Sequence, residues 1–205
     1  MNVEFPGNQS MSEKLKAPYL NYKKIIHSAG RIKIYLLLFC LLLIMSFKAV
    51  AESPDVTLKG LNGEQHHLSE YIGNGKWVVL NIWGPGCPPC IEEMPDLQNF
   101  SDANKQRAIV VGMALDFPSF GYAKKDEVAA FVEDYFIEFP ILLGDANIVE
   151  KFGGGQLLGT PTTFVYEPGG KLVARQVGQV TQQLIEDFIN NYESTNASAT
   201  GKAGH

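Results

Sequence analysis

Two cysteines of the sequence, Cys87 and Cys90, are separated by two prolines in the segment WGPGCPPC. On a helix, this spacing places the second sulfur about one turn after the first and within bonding reach of it. Such a pair can form a disulfide, hold a soft metal ion or exchange electrons with other thiols. The spacing therefore indicates thiol chemistry, and other features of the sequence are needed to distinguish a disulfide, a metal site and a redox pair.

The position of Cys87 favours the deprotonated form of its thiol. A run of β-forming residues from Trp77 to Trp83, WVVLNIW, predicts a strand buried on both faces. A Gly/Pro turn follows, and the cysteines then open a predicted helix that runs toward Phe100. Unpaired N–H groups at a helix N-terminus stabilise an anion, so the pKa of the Cys87 thiol is expected below its ordinary value. The Cys87 thiolate would then attack a disulfide, and Cys90 would resolve the mixed disulfide.

The third cysteine, Cys40, lies in an N-terminal segment with the pattern of an export signal. Residues 1–51 hold seven Lys/Arg and two Asp/Glu, and most of these cations precede an apolar run at 34–47. That run fits the core of a signal peptide and is short for a membrane-spanning helix. Ala49 and Ala51, on either side of Val50, give the small-x-small pattern of a cleavage site. Residues 1–51 are therefore predicted to be a signal peptide, or a membrane anchor if they stay attached.

The exported part, residues 52–205, would retain only Cys87 and Cys90. It holds ten Lys/Arg and twenty Asp/Glu, a net charge of −10. This excess argues against nucleic acid or an anionic lipid surface as a partner, because both bind clustered cations. Membrane contact is expected only through an uncleaved N-terminal segment. A disulfide-stapled scaffold or a structural zinc site would need more ligands, so a redox pair is favoured, with no resident metal or cofactor.

Strand-like and helix-like segments alternate along the exported part. An Asn-Gly pair at 62–63 predicts an N-terminal β-hairpin. The other predicted elements are strands at 108–115, 139–143, 162–166 and 171–177, helices at 125–135 and 147–152, and a last helix capped by Thr181. This alternation implies an α/β sandwich with a mixed sheet. The domain is predicted to span 52–192, and the small polar residues at 193–205 are predicted to form a disordered tail.

Three segments together resemble the thioredoxin superfamily: WGPGCPPC, the Glu-Glu-Met-Pro that follows Ile91, and GTPTTFVYEPGGKLV. They are more closely similar to the TlpA/ResA-like periplasmic thiol–disulfide oxidoreductases of cytochrome c maturation, and the similarity runs from about Pro54 to Tyr192. The resemblance implies a thioredoxin-like three-layer sandwich with a mixed central sheet and an added N-terminal β-hairpin. Pro95 corresponds to the proline that kinks the helix after the redox pair.

The same resemblance implies roles for several residues around the pair. Pro161 would be the cis-proline beside the cysteines, and the Thr160 backbone would pair with an extended substrate segment. Trp83 corresponds to the tryptophan ahead of the motif, for which shielding of the substrate site and core packing both stay open. Glu93, three residues after Cys90, is the candidate proton acceptor. Its alternative is a solvated glutamate on the first turns of a helix.

Two positions depart from the thioredoxin pattern. The residue before the first cysteine is commonly Trp, and here it is Gly86, so an aromatic wall is expected to be missing from the substrate surface. The buried acid of cytoplasmic thioredoxin corresponds to Asn81, whose amide cannot accept the Cys90 proton as a base.

The resemblance implies an exported enzyme that reduces disulfides of periplasmic proteins, with apocytochrome c among the candidate substrates. It would lie in the periplasm, free or anchored to the inner membrane, and take electrons from a membrane-embedded thiol donor. A disulfide oxidase stays open, because two prolines between the cysteines do not decide the direction of electron flow. A Cu(I)-binding delivery protein also stays open, because two thiolates can hold that ion. A peroxiredoxin is disfavoured, because its Thr-x-x-Cys motif needs a threonine where Gly84 stands.

Overall fold

The computed structural model describes residues 56–202, with side chains described as far as residue 197. The predicted leader, residues 1–51, and its cysteine, Cys40, lie outside the described residues. Within 56–202, none of the helices combines the length and the apolar character that crossing a lipid bilayer requires.

A seven-stranded sheet organises the described chain. Its strands are β1 Thr57–Gly60, β2 Gln65–His67, β3 Trp77–Trp83, β4 Ala108–Ala114, β5 Ile141–Leu143, β6 Thr162–Tyr166 and β7 Leu172–Val177. The order across the sheet is β2-β1-β5-β4-β3-β6-β7. The three central neighbours β5, β4 and β3 are parallel, and every other pairing is antiparallel. β1 and β2 pair antiparallel, and Gly63 in the turn between them has a φ of 87°.

Between residues 56 and 202, four α-helices accompany the sheet. They are α1 Pro88–Asn104, α2 Lys125–Asp134, α3 Ala146–Val149 and α4 Gln182–Lys202, with 3₁₀ turns at Leu68–Glu70 and Glu150–Phe152. Pro95 lies inside α1, and the hydroxyl of Thr181 accepts a hydrogen bond from the Leu184 N–H at the start of α4, as predicted.

The last helix is longer than the sequence predicted. The sequence predicted the domain to end at Tyr192, with a disordered tail at 193–205, whereas α4 continues to Lys202. One reason is a tertiary contact: the indole N–H of Trp77, at the start of β3, donates to the Glu193 carboxylate at 2.7 Å. This contact ties the extension of the helix to the sheet.

Alternating side chains of β3 divide the core into two layers. Val79 and Trp83 face one side, together with buried residues of α1, α2 and α4. Val78 and Leu80 face the other side, where Phe152 of the second 3₁₀ turn and other buried residues pack. The predicted fold class, a thioredoxin-like three-layer α/β sandwich with a mixed central sheet, is confirmed. It places the end of β3 and the start of α1 at one end of the sheet.

Candidate active site

Cys87 and Cys90 form a disulfide at the start of α1, with their Cα atoms 5.3 Å apart. Cys87 is the N-terminal cap, and the prolines Pro88 and Pro89 are the first helical residues. Proline is suited to these positions, because the first N–H groups of a helix have no partner within it. The amides of Cys90 and Ile91 both donate to the Cys87 carbonyl, at 3.0 and 3.1 Å. The backbone thus fixes both sulfurs on the first turn of the helix.

The surroundings of Cys87 include Thr160 and Pro161. The Cys87 Sγ lies 3.7 Å from the Thr160 carbonyl oxygen, and the Thr160 hydroxyl donates to that sulfur at 3.5 Å. The Thr160–Pro161 peptide is cis, as the resemblance implied. Both cysteines are 0% exposed in this oxidised form. An incoming sulfur therefore has to displace some of the neighbouring groups before it reaches Cys87.

Glu93 lies one helical turn after Cys90, and only 1% of it is exposed. Its two carboxyl oxygens accept hydrogen bonds from the Asn81 amide at 2.8 Å and from the Val180 N–H at 2.9 Å. Burial raises the pKa of Glu93 to about 7; the two hydrogen bonds oppose this effect, and the charge of Asp96 adds to it. The alternative of a solvated glutamate is therefore wrong, because this carboxyl lies in the interior and titrates near neutrality.

Asn81 connects Glu93 to the neighbouring strand β6. Its side-chain N–H₂ donates to Glu93 at 2.8 Å and to the Thr163 hydroxyl at 3.0 Å. Its Oδ1 is buried and has no hydrogen-bond partner in the part of the chain that the structure describes. Leaving an acceptor unpaired in the interior costs about 1–3 kcal/mol. Asn81 thus orients the carboxyl group of Glu93, while Glu93 is the group that can take up a proton.

Substituting Asn81 tests this arrangement. We expect Asn81→Ala to raise the pKa of Glu93 above about 7, because the Asn81 amide stabilises the charged carboxylate. The pH at which the rate of disulfide exchange is half-maximal should move up by about half a unit to one unit. A pH profile of kcat/KM for a peptide disulfide measures this shift. Thr163→Val, which keeps the bond between Asn81 and Glu93, is the matched control, and an unmoved profile in Asn81→Ala would contradict the expectation.

Trp83, expected near the substrate, lies in the core. It is 0% exposed, and its ring centroid lies 4.8 Å from that of Phe131 on α2. Its indole N–H is buried without a hydrogen-bond partner among the described residues. Of the two interpretations that the sequence left open for Trp83, this burial favours core packing in the oxidised form, and contact with a substrate stays a prediction.

An aromatic residue does lie beside Gly86, although the sequence predicted that the wall there would be missing. A Cβ atom placed on Gly86 would lie 3.9 Å from Cδ1 of Phe117, and one placed on Gly84 would lie 3.0 Å from Cβ of Phe117. Phe117 belongs to the loop between β4 and α2 and is half-buried. Sequence reasoning missed it, because no spacing rule connects that loop to the cysteines.

Comparisons with known proteins agree with this geometry. The AhpC/TSA family matches residues 50–175. The thiol-disulfide oxidoreductase ResA of Halalkalibacterium halodurans is 30% identical over 144 residues, which cover 69% of this chain and 76% of that protein. The thioredoxin-like protein YneN of Bacillus subtilis is 32% identical over 139 residues, 68% of this chain and 77% of that protein. A solved DsbF homologue from Corynebacterium diphtheriae matches with a TM-score of 0.60 and 28% identity, over 69% of this chain and 86% of that one.

Proposed function

We propose that this chain reduces disulfides of proteins outside the cytoplasm. It belongs to the AhpC/TSA family and is a thiol–disulfide oxidoreductase of the ResA type. One observation carries the proposal: a Cys87–Cys90 disulfide caps α1, and one turn later the same helix holds a buried carboxyl group, that of Glu93, with a pKa near neutrality. A cysteine pair at that position can cycle between dithiol and disulfide, and the carboxyl group can take up the proton that the cycle releases.

The first half of the reaction belongs to Cys87. Its thiolate, favoured by the N-terminus of α1, attacks one sulfur of the substrate disulfide. The substrate S–S bond breaks, a mixed disulfide with Cys87 forms, and one substrate sulfur leaves as a thiolate. Thr160 contacts the Cys87 sulfur and precedes the cis-proline Pro161, so its backbone is the proposed place where the substrate segment pairs as an added strand.

The second half belongs to Cys90 and Glu93. The Glu93 carboxylate accepts the proton of the Cys90 thiol, and the resulting thiolate attacks the Cys87 sulfur. The enzyme disulfide forms, and the second substrate sulfur leaves and takes up a proton. In total, two enzyme thiols are oxidised and one substrate disulfide is reduced to two thiols. A pKa of about 7 suits Glu93 to this step, because at neutral pH it can both accept and return a proton.

The location and the electron supply are proposed from the N-terminal segment. The pattern of residues 1–51 supports export, free or with a retained anchor. Outside the cytoplasm the oxidised pair needs a source of electrons, and we assign that role to a membrane-embedded thiol donor. The resemblance to the TlpA/ResA-like group supports apocytochrome c as one substrate among disulfide-bearing exported proteins.

The reduction potential of the Cys87–Cys90 pair separates a reductant from an oxidant. We expect a value below about −230 mV, in the direction of thioredoxin at about −270 mV. The full chain is equilibrated in defined thiol/disulfide buffers at pH 7. It carries Cys40→Ser, so that Cys87 and Cys90 are the two cysteines whose redox state is measured. Alkylation and mass spectrometry then give the reduced fraction. A value above about −150 mV would indicate an oxidase or isomerase. Failure to equilibrate would contradict thiol exchange, and Cu(I) titration would follow.

A further inference from the structure

The loop between β4 and α2 packs against the turn that carries the redox pair. The Leu115 N–H donates to the Trp83 carbonyl at 2.9 Å, directly before that turn. Phe117, two residues later, packs against the core cluster that contains both cysteines, and it lies beside the positions of Gly84 and Gly86. The residue before Cys87 is thus flanked by an aromatic ring from a distant part of the chain.

Hydrogen bonds within the loop hold Phe117 in place. The Asp116 N–H donates to the Gly121 carbonyl at 2.9 Å, and the Phe120 N–H donates to the Asp116 carbonyl at 2.7 Å. The Ser119 hydroxyl donates to the Asp116 carboxylate and accepts from the Gly121 N–H at 3.1 Å. The Phe117 ring meets the Phe120 ring edge to face, with centroids 6.0 Å apart. A ring held in this way has little conformational freedom to lose when a partner packs on it.

We infer that Phe117 determines substrate specificity in disulfide exchange at Cys87, a role that rests on the proposed function. Because Cys87 is fully buried, a substrate that reaches its sulfur must come close to the groups around it. Thr160 offers polar contacts at the sulfur itself, and Phe117 offers an apolar surface beside the preceding residue. The favoured substrate is an extended segment of a disulfide-bearing protein with an apolar side chain next to its reacting cysteine.

Two peptide disulfides that differ only in Leu or Ser next to the cysteine test this inference. The reduced full chain is expected to favour the Leu peptide by about tenfold in kcat/KM, which corresponds to about 1.4 kcal/mol. Phe117→Ala should lose most of that preference through a slower reaction with the Leu peptide, while the Ser peptide and glutathione disulfide change by less than about twofold. Phe136→Ala, which removes an aromatic ring that is 82% exposed two residues after the end of α2, is the matched control and should keep the parental preference.

The outcomes separate this inference from the proposed function. A parent that exchanges with no disulfide would overturn both. A parent that exchanges, with an unchanged Leu preference in Phe117→Ala, would overturn the specificity role alone. A faster reaction of Phe117→Ala with every disulfide would also overturn it, by showing that the ring only shields the cysteines. If Phe117→Ala unfolds, Phe117→Leu decides instead, with an expected loss of about threefold for the Leu peptide.

Discussion

Cys87→Ser is expected to abolish disulfide exchange, lowering kcat/KM by roughly a thousandfold or more, whereas Cys90→Ser is expected to accumulate a stable mixed disulfide with its substrate. The two effects differ because the positions differ. Cys87 caps α1, where the helix N-terminus stabilises an anionic sulfur, and it is the proposed nucleophile. Cys90 lies inside the first turn and is bonded to Cys87, so its proposed role is to attack the Cys87 sulfur. Without Cys90, the first step proceeds and the second cannot.

Non-reducing electrophoresis and mass spectrometry of each variant with a peptide disulfide measure both effects. Cys40→Ser is the matched control, because it removes a cysteine of the predicted leader and keeps the redox pair. Equal activity of Cys87→Ser and the parent would refute the assignment of the nucleophile. Trapping on Cys87→Ser but not on Cys90→Ser would reverse the two roles.

Glu93→Gln is expected to slow the resolving step by about a hundredfold at pH 7, within the range typical of a lost general base. Gln fills the same volume but cannot take the Cys90 proton. The parent rate should rise as pH increases through about 7, where Glu93 becomes charged, and this rise should be absent in Glu93→Gln. Glu92→Gln, a change at the exposed neighbouring position, is the control and should follow the parent. Single-turnover release of reduced peptide measures the step, and a parental pH profile in Glu93→Gln would exclude Glu93 as the base.

The same substitution changes how the stability of the oxidised protein depends on pH. The pKa of Glu93 is about 7 in the fold, against an ordinary value of 4.5, so the folded state binds this proton more tightly than the unfolded state does. This difference stabilises the folded state fully below about pH 4.5, and the stabilisation is lost as the pH rises through about 7. The free energy of unfolding falls by about 3 kcal/mol over this range. Chemical unfolding at pH 5 and pH 8 should show this decline in the parent and in Glu92→Gln. Glu93→Gln should lack it, and an equal decline in all three proteins would contradict the buried carboxyl.

Local patterns were sufficient to predict most elements of the fold. The run from Trp77 to Trp83 is a strand with the predicted bounds, because every residue in it is buried and no proline interrupts it. The Gly/Pro turn that follows places the start of α1 at the cysteines, as expected. The hairpin turn at Gly63 needs a positive φ that glycine readily adopts, so the sequence indicates it directly.

The environment of the site depends on contacts between distant residues and was harder to predict. Position on a helix alone leaves Glu93 either solvated or buried, and the Val180 N–H and the Asn81 amide are what hold it inside. The ring beside Gly86 comes from Phe117, whose position depends on loop hydrogen bonds that have no sequence signature. The extension of α4 likewise includes a contact between residues far apart in the sequence, Glu193 and Trp77.

The two outer strands of the described sheet affect how readily the enzyme aggregates with unfolded substrate proteins. A chain whose disulfides have just been reduced exposes extended segments, and such segments tend to add to an open sheet edge and start aggregation. β2, at one edge, is only three residues long. β7, at the other, is interrupted by an irregularity in its register with β6 opposite Val165 and Tyr166. Neither edge offers a long regular strand for another chain to pair with. Substrate proteins should therefore bind the enzyme at its cysteines and not add as strands to the edges of its sheet.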